Sequence, residues 1–100
     1  MSSDHTLNGA ERIAAERARQ IAMENYSLAH DSEHDDEQLL DAALCYIDGQ
    51  TLASYPATPP NWPWEASSWK PTPDDRVREL VKAAALIAAE IDRMLARDAR

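Results

Sequence analysis

The sequence predicts an all-α fold, a compact bundle of about three helices with a long Trp/Pro-rich loop between the second and third. Two observations carry this. Three stretches repeat apolar residues at helical spacing. Between them, Pro56, Pro59, Pro60, Pro63 and Pro71 forbid regular helix. One hundred residues suit a single domain. Residues 1–8 are expected to be a disordered N-terminus and 9–97 the helical domain, with helices at about 9–25, 36–48 and 73–96 and the loop at 49–72.

The first helix is rich in Ala, Glu, Arg and Gln, which form helix readily. Its expected inner line is Ala14, Ala18 and Ile21, with Ile13 alongside. Glu16 and Gln20 share a different face at i, i+4. The second helix is expected to start near Asp35 or Asp36, where a carboxylate suits the helix dipole. Leu40, Ala43, Leu44 and Ile47 make its inner stripe, and Gly49 is a natural stop. Three tryptophans in the following loop argue against disorder there. Thr72 is the expected cap of the third helix, Pro73 its first residue, and Asp74 and Asp75 follow. Val77, Val81, Ala84, Ala88, Ile91 and Leu95 repeat along it, and Leu80, Ile87 and Met94 widen the stripe. So broad a stripe is expected to be buried against both other helices and a second copy of the chain, hence a homodimer.

Composition narrows the function. A formal charge of −8 argues against general nucleic-acid binding while leaving room for a local basic pocket. Cys45 is the sole cysteine, so no internal disulfide forms, which fits a cytoplasmic protein. Residues 1–7 have no basic start and no apolar run, so no secretory leader is expected. No segment approaches the ~20 apolar residues that cross a bilayer, so no membrane role is expected. With Gly9 and Gly49 alone, neither a P-loop nor a dinucleotide fingerprint is possible.

Three constellations carry chemistry. His30 to Glu37 holds two histidines and five acids, so His30, Glu33, His34 and Asp35 are candidate metal ligands. Their spacing matches no defined site, and a solvated acidic turn that caps the second helix is the simpler reading. Trp62, Trp64 and Trp69 offer indoles that stack on a nucleobase, and Lys70 a charge for phosphate. The alternative is that the tryptophans pin the loop onto the helices. Arg78 and Lys82, i, i+4 neighbours near Arg76, make an anion pocket with Lys70, or pair with Asp74, Asp75 and Glu79. The early amides of the third helix would add to such a pocket. Arg19 and Gln20 are further ligand candidates. Cys45 reads as a buried structural thiol.

Four segments carry a family resemblance: Glu16-Arg17-Ala18-Arg19-Gln20-Ile21 with Tyr26-Ser27; His30-Asp31-Ser32-Glu33-His34 with Leu39, Ala42-Ala43 and Cys45-Tyr46; Trp62-Pro63-Trp64 with Trp69-Lys70-Pro71; and Arg78-Glu79-Leu80-Val81-Lys82-Ala83 with Leu86-Ile87 and Glu90-Ile91-Asp92-Arg93. Across most of residues 11–93 the chain resembles a family of small uncharacterised proteins of tailed phages and prophages. The first two segments are also distantly similar to the all-α nucleotide pyrophosphohydrolases, which hold magnesium on carboxylates of paired helices. The chain departs from these patterns at Ser32, where an acid is expected, at Glu37-Gln38 in place of Gly-Glu, and at Asn25 and Ala84 in place of glycine. Gln38 removes the carboxylate that magnesium chemistry most needs.

The resemblance and the pocket residues together suggest a phage protein in the host bacterial cytoplasm. Its expected role is to sequester a nucleotide immune signal, a cyclic oligonucleotide or a cyclised ADP-ribose, as an anti-defence sponge. Trp62, Trp64 or Trp69 would stack on the base and Lys70, Arg78 and Lys82 would hold phosphate, with no cofactor. One alternative is a magnesium-dependent nucleotide pyrophosphohydrolase using Glu16, Glu33, Asp35, Asp36 and Glu37. Another is an acidic protein that occupies a host protein's nucleic-acid groove, for which the six acids from Asp31 to Asp41 speak.

Overall fold

The computed structural model describes residues 6–24 and 38–99. Among them are three α-helices and no strand: α1 (Gly9–Glu24), α2 (Gln38–Asp48) and α3 (Arg76–Asp98). Two short 3₁₀ turns, Gly49–Thr51 and Ala66–Ser68, punctuate the connection between α2 and α3. The expected start of the second helix and the His/acid cluster lie outside the described residues.

Each helix end has a local cause. At the start of α1, Asn8 Oδ1 accepts from the Glu11 amide and Glu11 Oε1 accepts from the Asn8 amide, both at 2.9 Å. This reciprocal capping box satisfies two amides with no intrahelical partner. α3 begins later than the sequence suggests. Thr72 and Pro73 lie in a preceding turn, closed by the Asp75 amide on Thr72 O at 2.9 Å. Asp75 is the cap, its carboxylate accepting from the Arg78 amide at 3.0 Å. An acid outcompetes a hydroxyl for this place because its charge also meets the positive end of the helix dipole. After α2, Gly49 enters a 3₁₀ turn and has no positive φ. Its role is close approach: a Cβ there would sit 3.3 Å from the Tyr55 ring and 3.4 Å from the Trp69 ring.

α3 is the central element, packed on α2 along one side and α1 along another, while α1 and α2 make no close backbone approach. The α2 side is apolar. Leu39, Ala42, Ala43, Cys45 and Tyr46 meet Ala83, Leu86 and Ala89 of α3. Alanines on α3 let the helices come close, and Trp62 and Trp69 from the loop fill the remaining space. Trp69 stacks on Tyr46 with centroids 4.7 Å apart, and Trp62 meets Tyr46, Trp64 and Trp69 edge-on. Both buried indoles find acceptors: Trp69 Nε1 donates to Pro56 O at 2.8 Å, and Trp62 Nε1 to Glu65 O and Ser68 Oγ at 3.1 Å.

The α1 side is polar, which reverses the expectation for that helix. Ala14, Ala18 and Ile21 are exposed, whereas Glu16, Arg17 and Gln20 are buried. The reason lies opposite: Glu16 meets Arg78 at 2.6 Å and Arg17 meets Asp92 at 3.3 Å, so α1 docks by ion pairs. The stripe expected to be buried on α3 is also largely exposed. Val81 is buried, but Val77, Leu80, Ile87, Ile91, Met94 and Leu95 are not. The inward face carries Glu79, Lys82, Glu90 and Arg93 instead. Leu44, expected inside α2, is exposed as well.

Buried charge at the amino end of α3 organises the loop. Glu79 is fully buried and accepts from Gln50 Nε2 at 2.6 Å, the Thr72 amide at 3.1 Å, Arg76 Nη1 at 3.4 Å and the Tyr55 hydroxyl. One carboxylate thus joins both ends of the Trp/Pro segment. Burial, reinforced by the Glu79 carboxylate, pushes the Tyr55 hydroxyl up to about 12, so it stays a donor. Arg76 caps α2, donating to the carbonyls of Tyr46 and Ile47 at 2.9 and 2.5 Å.

Candidate functional site

A cavity of about 200 Å³ opens where α1, α3 and the Trp/Pro loop converge. Its walls are Glu16, Arg19 and Gln20 from α1, Tyr46 from α2, Trp62, Trp64, Ser68 and Lys70 from the loop, and Arg78, Lys82 and Leu86 from α3. Of the ligand candidates read from the sequence, Arg19, Gln20, Trp62, Trp64, Lys70, Arg78 and Lys82 therefore share one cavity. Helical spacing explains much of this: Glu16, Arg19 and Gln20 share a face of α1, and Arg78, Lys82 and Leu86 a face of α3.

Glu16 is the hub. Arg19 grips its carboxylate with two nitrogens, Nε at 2.9 Å and Nη2 at 2.7 Å. Arg78 Nη2 reaches it at 2.6 Å and Gln20 Nε2 at 3.2 Å. Burial alone would push Glu16 up, but the hydrogen bonds and charges of Arg19 and Arg78 hold it below the ordinary carboxylate value. A guanidinium has five N–H donors in a rigid fork. Glu16 therefore fixes the two forks without exhausting the donors of Arg78, and their planes stay set at the cavity rim. Lys82 is only 7% exposed; its Nζ donates to Lys70 O at 2.6 Å and lies 5.4 Å from the Tyr46 ring centroid. The lining thus carries four cationic side chains and one carboxylate, against a chain that is strongly acidic overall.

The same lining carries three aromatic side chains, Tyr46, Trp62 and the half-buried Trp64, with Lys82 over the Tyr46 ring. It also holds an uncompensated acceptor. Gln20 is 3% exposed, and its Oε1 has no hydrogen-bond partner among the described residues. The amide cannot turn over, because that would set Oε1 against the Glu16 carboxylate, acceptor against acceptor. A buried acceptor left bare costs about 1–3 kcal/mol.

A second cavity of about 280 Å³ adjoins the first. It is lined by Leu7, Arg12, Ala15, Asp75, Val77 and Val81, and it shares Glu16, Arg19 and Arg78 with its neighbour. The two arginines therefore form a cationic ridge between two hollows.

Some expectations are corrected. Trp69 lies behind the wall, not on it: it is 7% exposed and packed on Tyr46 and Gly49 as a core residue. Of the early amides of α3, that of Arg78 does not await an anion, because the Asp75 carboxylate already accepts from it. His30, Glu33, His34 and Asp35 lie outside the described residues, as do Asp36 and Glu37. Among the described residues no three His, Cys, Asp or Glu side chains gather as a metal site. Glu90 and Asp92 face apart, the former gripping Arg93 at 2.8 Å and the latter meeting Arg17. Burial, with Asp41 and Asp48 nearby, pushes the Cys45 thiol up to about 11, and it donates to Asn61 Oδ1 at 3.3 Å, an inert structural role.

Tyr46, Ser68 and Leu86 were not singled out from the sequence, and Glu16 was considered only as a metal ligand. Tyr46 was missed because the expected inner stripe of the second helix, Leu40, Ala43, Leu44 and Ile47, is rotated from the face that is buried. The hub role of Glu16 was legible only as its i, i+3 and i, i+4 spacing to Arg19 and Gln20. No family model, no curated protein and no solved structure matches the chain.

Proposed function

We propose that this is a small nucleotide-binding protein that holds its ligand without converting it. The observation that supports this best is the juxtaposition, in one cavity, of an aromatic wall, a cationic rim and the buried unpartnered oxygen of Gln20. A planar ring stacks on an indole face, for which the half-buried Trp64 is the candidate. Phosphate oxygens match the guanidinium forks of Arg78 and Arg19.

The adjoining hollow favours a ligand larger than one nucleoside, with phosphate on the Arg19–Arg78 ridge. The resemblance to small phage and prophage proteins extends the proposal to a biological role. The protein would sequester a cyclic oligonucleotide or cyclised ADP-ribose immune signal in the host cytoplasm, as an anti-defence sponge.

Calorimetry with a panel of mononucleotides, cyclic dinucleotides and cyclised ADP-ribose tests this, followed by denaturation and chromatography of the released ligand. The expected result is saturable binding, intact release, and a dissociation constant raised roughly ten- to a hundredfold by Trp64→Ala. Failure of the whole panel to bind overturns the proposal. Magnesium-dependent release of pyrophosphate from a dNTP would replace holding by hydrolysis.

A further inference from the structure

The outward face of α3 is apolar along most of its length. Val77, Leu80, Ile87, Ile91, Met94 and Leu95 are 57, 46, 37, 51, 43 and 61% exposed. The positions that complete this face are Ala84 and Ala88, so no charge interrupts it. The stripe runs about 27 Å at the helical rise of 1.5 Å per residue. From these exposures each chain presents roughly 550 Å² of side chain, at the upper end of the patches that monomers tolerate.

We infer that a second copy of this chain covers the stripe, helix against helix and antiparallel, in a two-fold dimer. Two features select this occupant. The stripe is alike at both ends and centred near Leu86 and Ile87, so an antiparallel copy presents the same surface in return, as an isologous contact requires. Two copies together offer about 1,100 Å² of exposed apolar side chain, comparable with the ~1,000 Å² expected of a stable interface. The first cavity is lined by no residue of the stripe, whereas the adjoining one shares Val77 with it.

The test is sedimentation equilibrium of the full chain across micromolar concentrations. Wild type is expected as a dimer. Ile87→Glu places two like charges near the two-fold axis and is expected to raise the dimer dissociation constant at least about a hundredfold, with helicity by circular dichroism unchanged. Leu80→Glu and Leu95→Glu, at opposite ends of the stripe, should each weaken the dimer and serve if Ile87→Glu fails to fold. A wild-type monomer throughout the range, or a dimer that none of the apolar-to-Glu variants weakens, overturns the inference.

Discussion

The two long faces of α3 differ in an unusual way. Toward α1 and α2 it buries Glu79, Lys82, Glu90 and Arg93, none more than 7% exposed, among Val81, Ala83, Ala85, Leu86 and Ala89. Toward solvent it presents valine, leucines, isoleucines and methionine. The inward charges are tolerable because each has specific partners. Glu79 accepts from four groups, Lys82 has a carbonyl and a ring, and Glu90 and Arg93 grip each other. Charge without such partners would not remain buried. The outward apolar residues have no such account within one chain. The difference is one of partners: the inner charges find theirs within the chain, and the outer apolar side chains are left exposed.

Removing a partner from the inner face should have the largest effect. Glu79→Ala strips four donors of their shared acceptor and is expected to cost about 3–5 kcal/mol in urea unfolding. A cost below 1 kcal/mol would show that the carboxylate does not hold the loop. Next comes the Glu90–Arg93 pair. Arg93→Ala alone leaves a carboxylate buried and should cost about 3 kcal/mol, while Glu90→Leu with Arg93→Met should be nearly neutral. Equal losses from the single and double variants would place the effect in packing.

At the cavity, Glu16→Gln should cost about 2 kcal/mol at neutral pH. The lowered Glu16 pKa sets the sign: its stabilisation is fully present above the unfolded value near 4.5 and is lost as pH falls through the lower folded value. Wild type should therefore lose stability on acidification more steeply than Glu16→Gln, and parallel pH profiles would contradict this. The smallest effect belongs to the outer face. Leu95→Gln, assayed dilute enough to keep the chain monomeric, should change unfolding by no more than about 0.5 kcal/mol.

Most members of the cavity were legible in the sequence. Lys70, Arg78 and Lys82 are basic residues close in sequence, Trp62 and Trp64 are indoles where loops seldom carry them, and Arg19 and Gln20 share a helical turn. What misled was the equation of apolar with inside. On α1 it selected Ala14, Ala18 and Ile21 over Glu16, Arg17 and Gln20, because periodicity cannot see that Arg78 and Asp92 wait across the interface. Trp69 was assigned to the ligand with its neighbours because composition does not distinguish a ring in the wall from one behind it.

The sequence by itself determined the three helices and the break between the second and third, since spacing and proline are local properties of the chain. Only the tertiary structure decided which face of each helix is inside. That choice depends on ion pairs between residues some sixty to seventy-five positions apart, Glu16 with Arg78 and Arg17 with Asp92. It depends equally on whether a buried charge finds its partners, which no local pattern records.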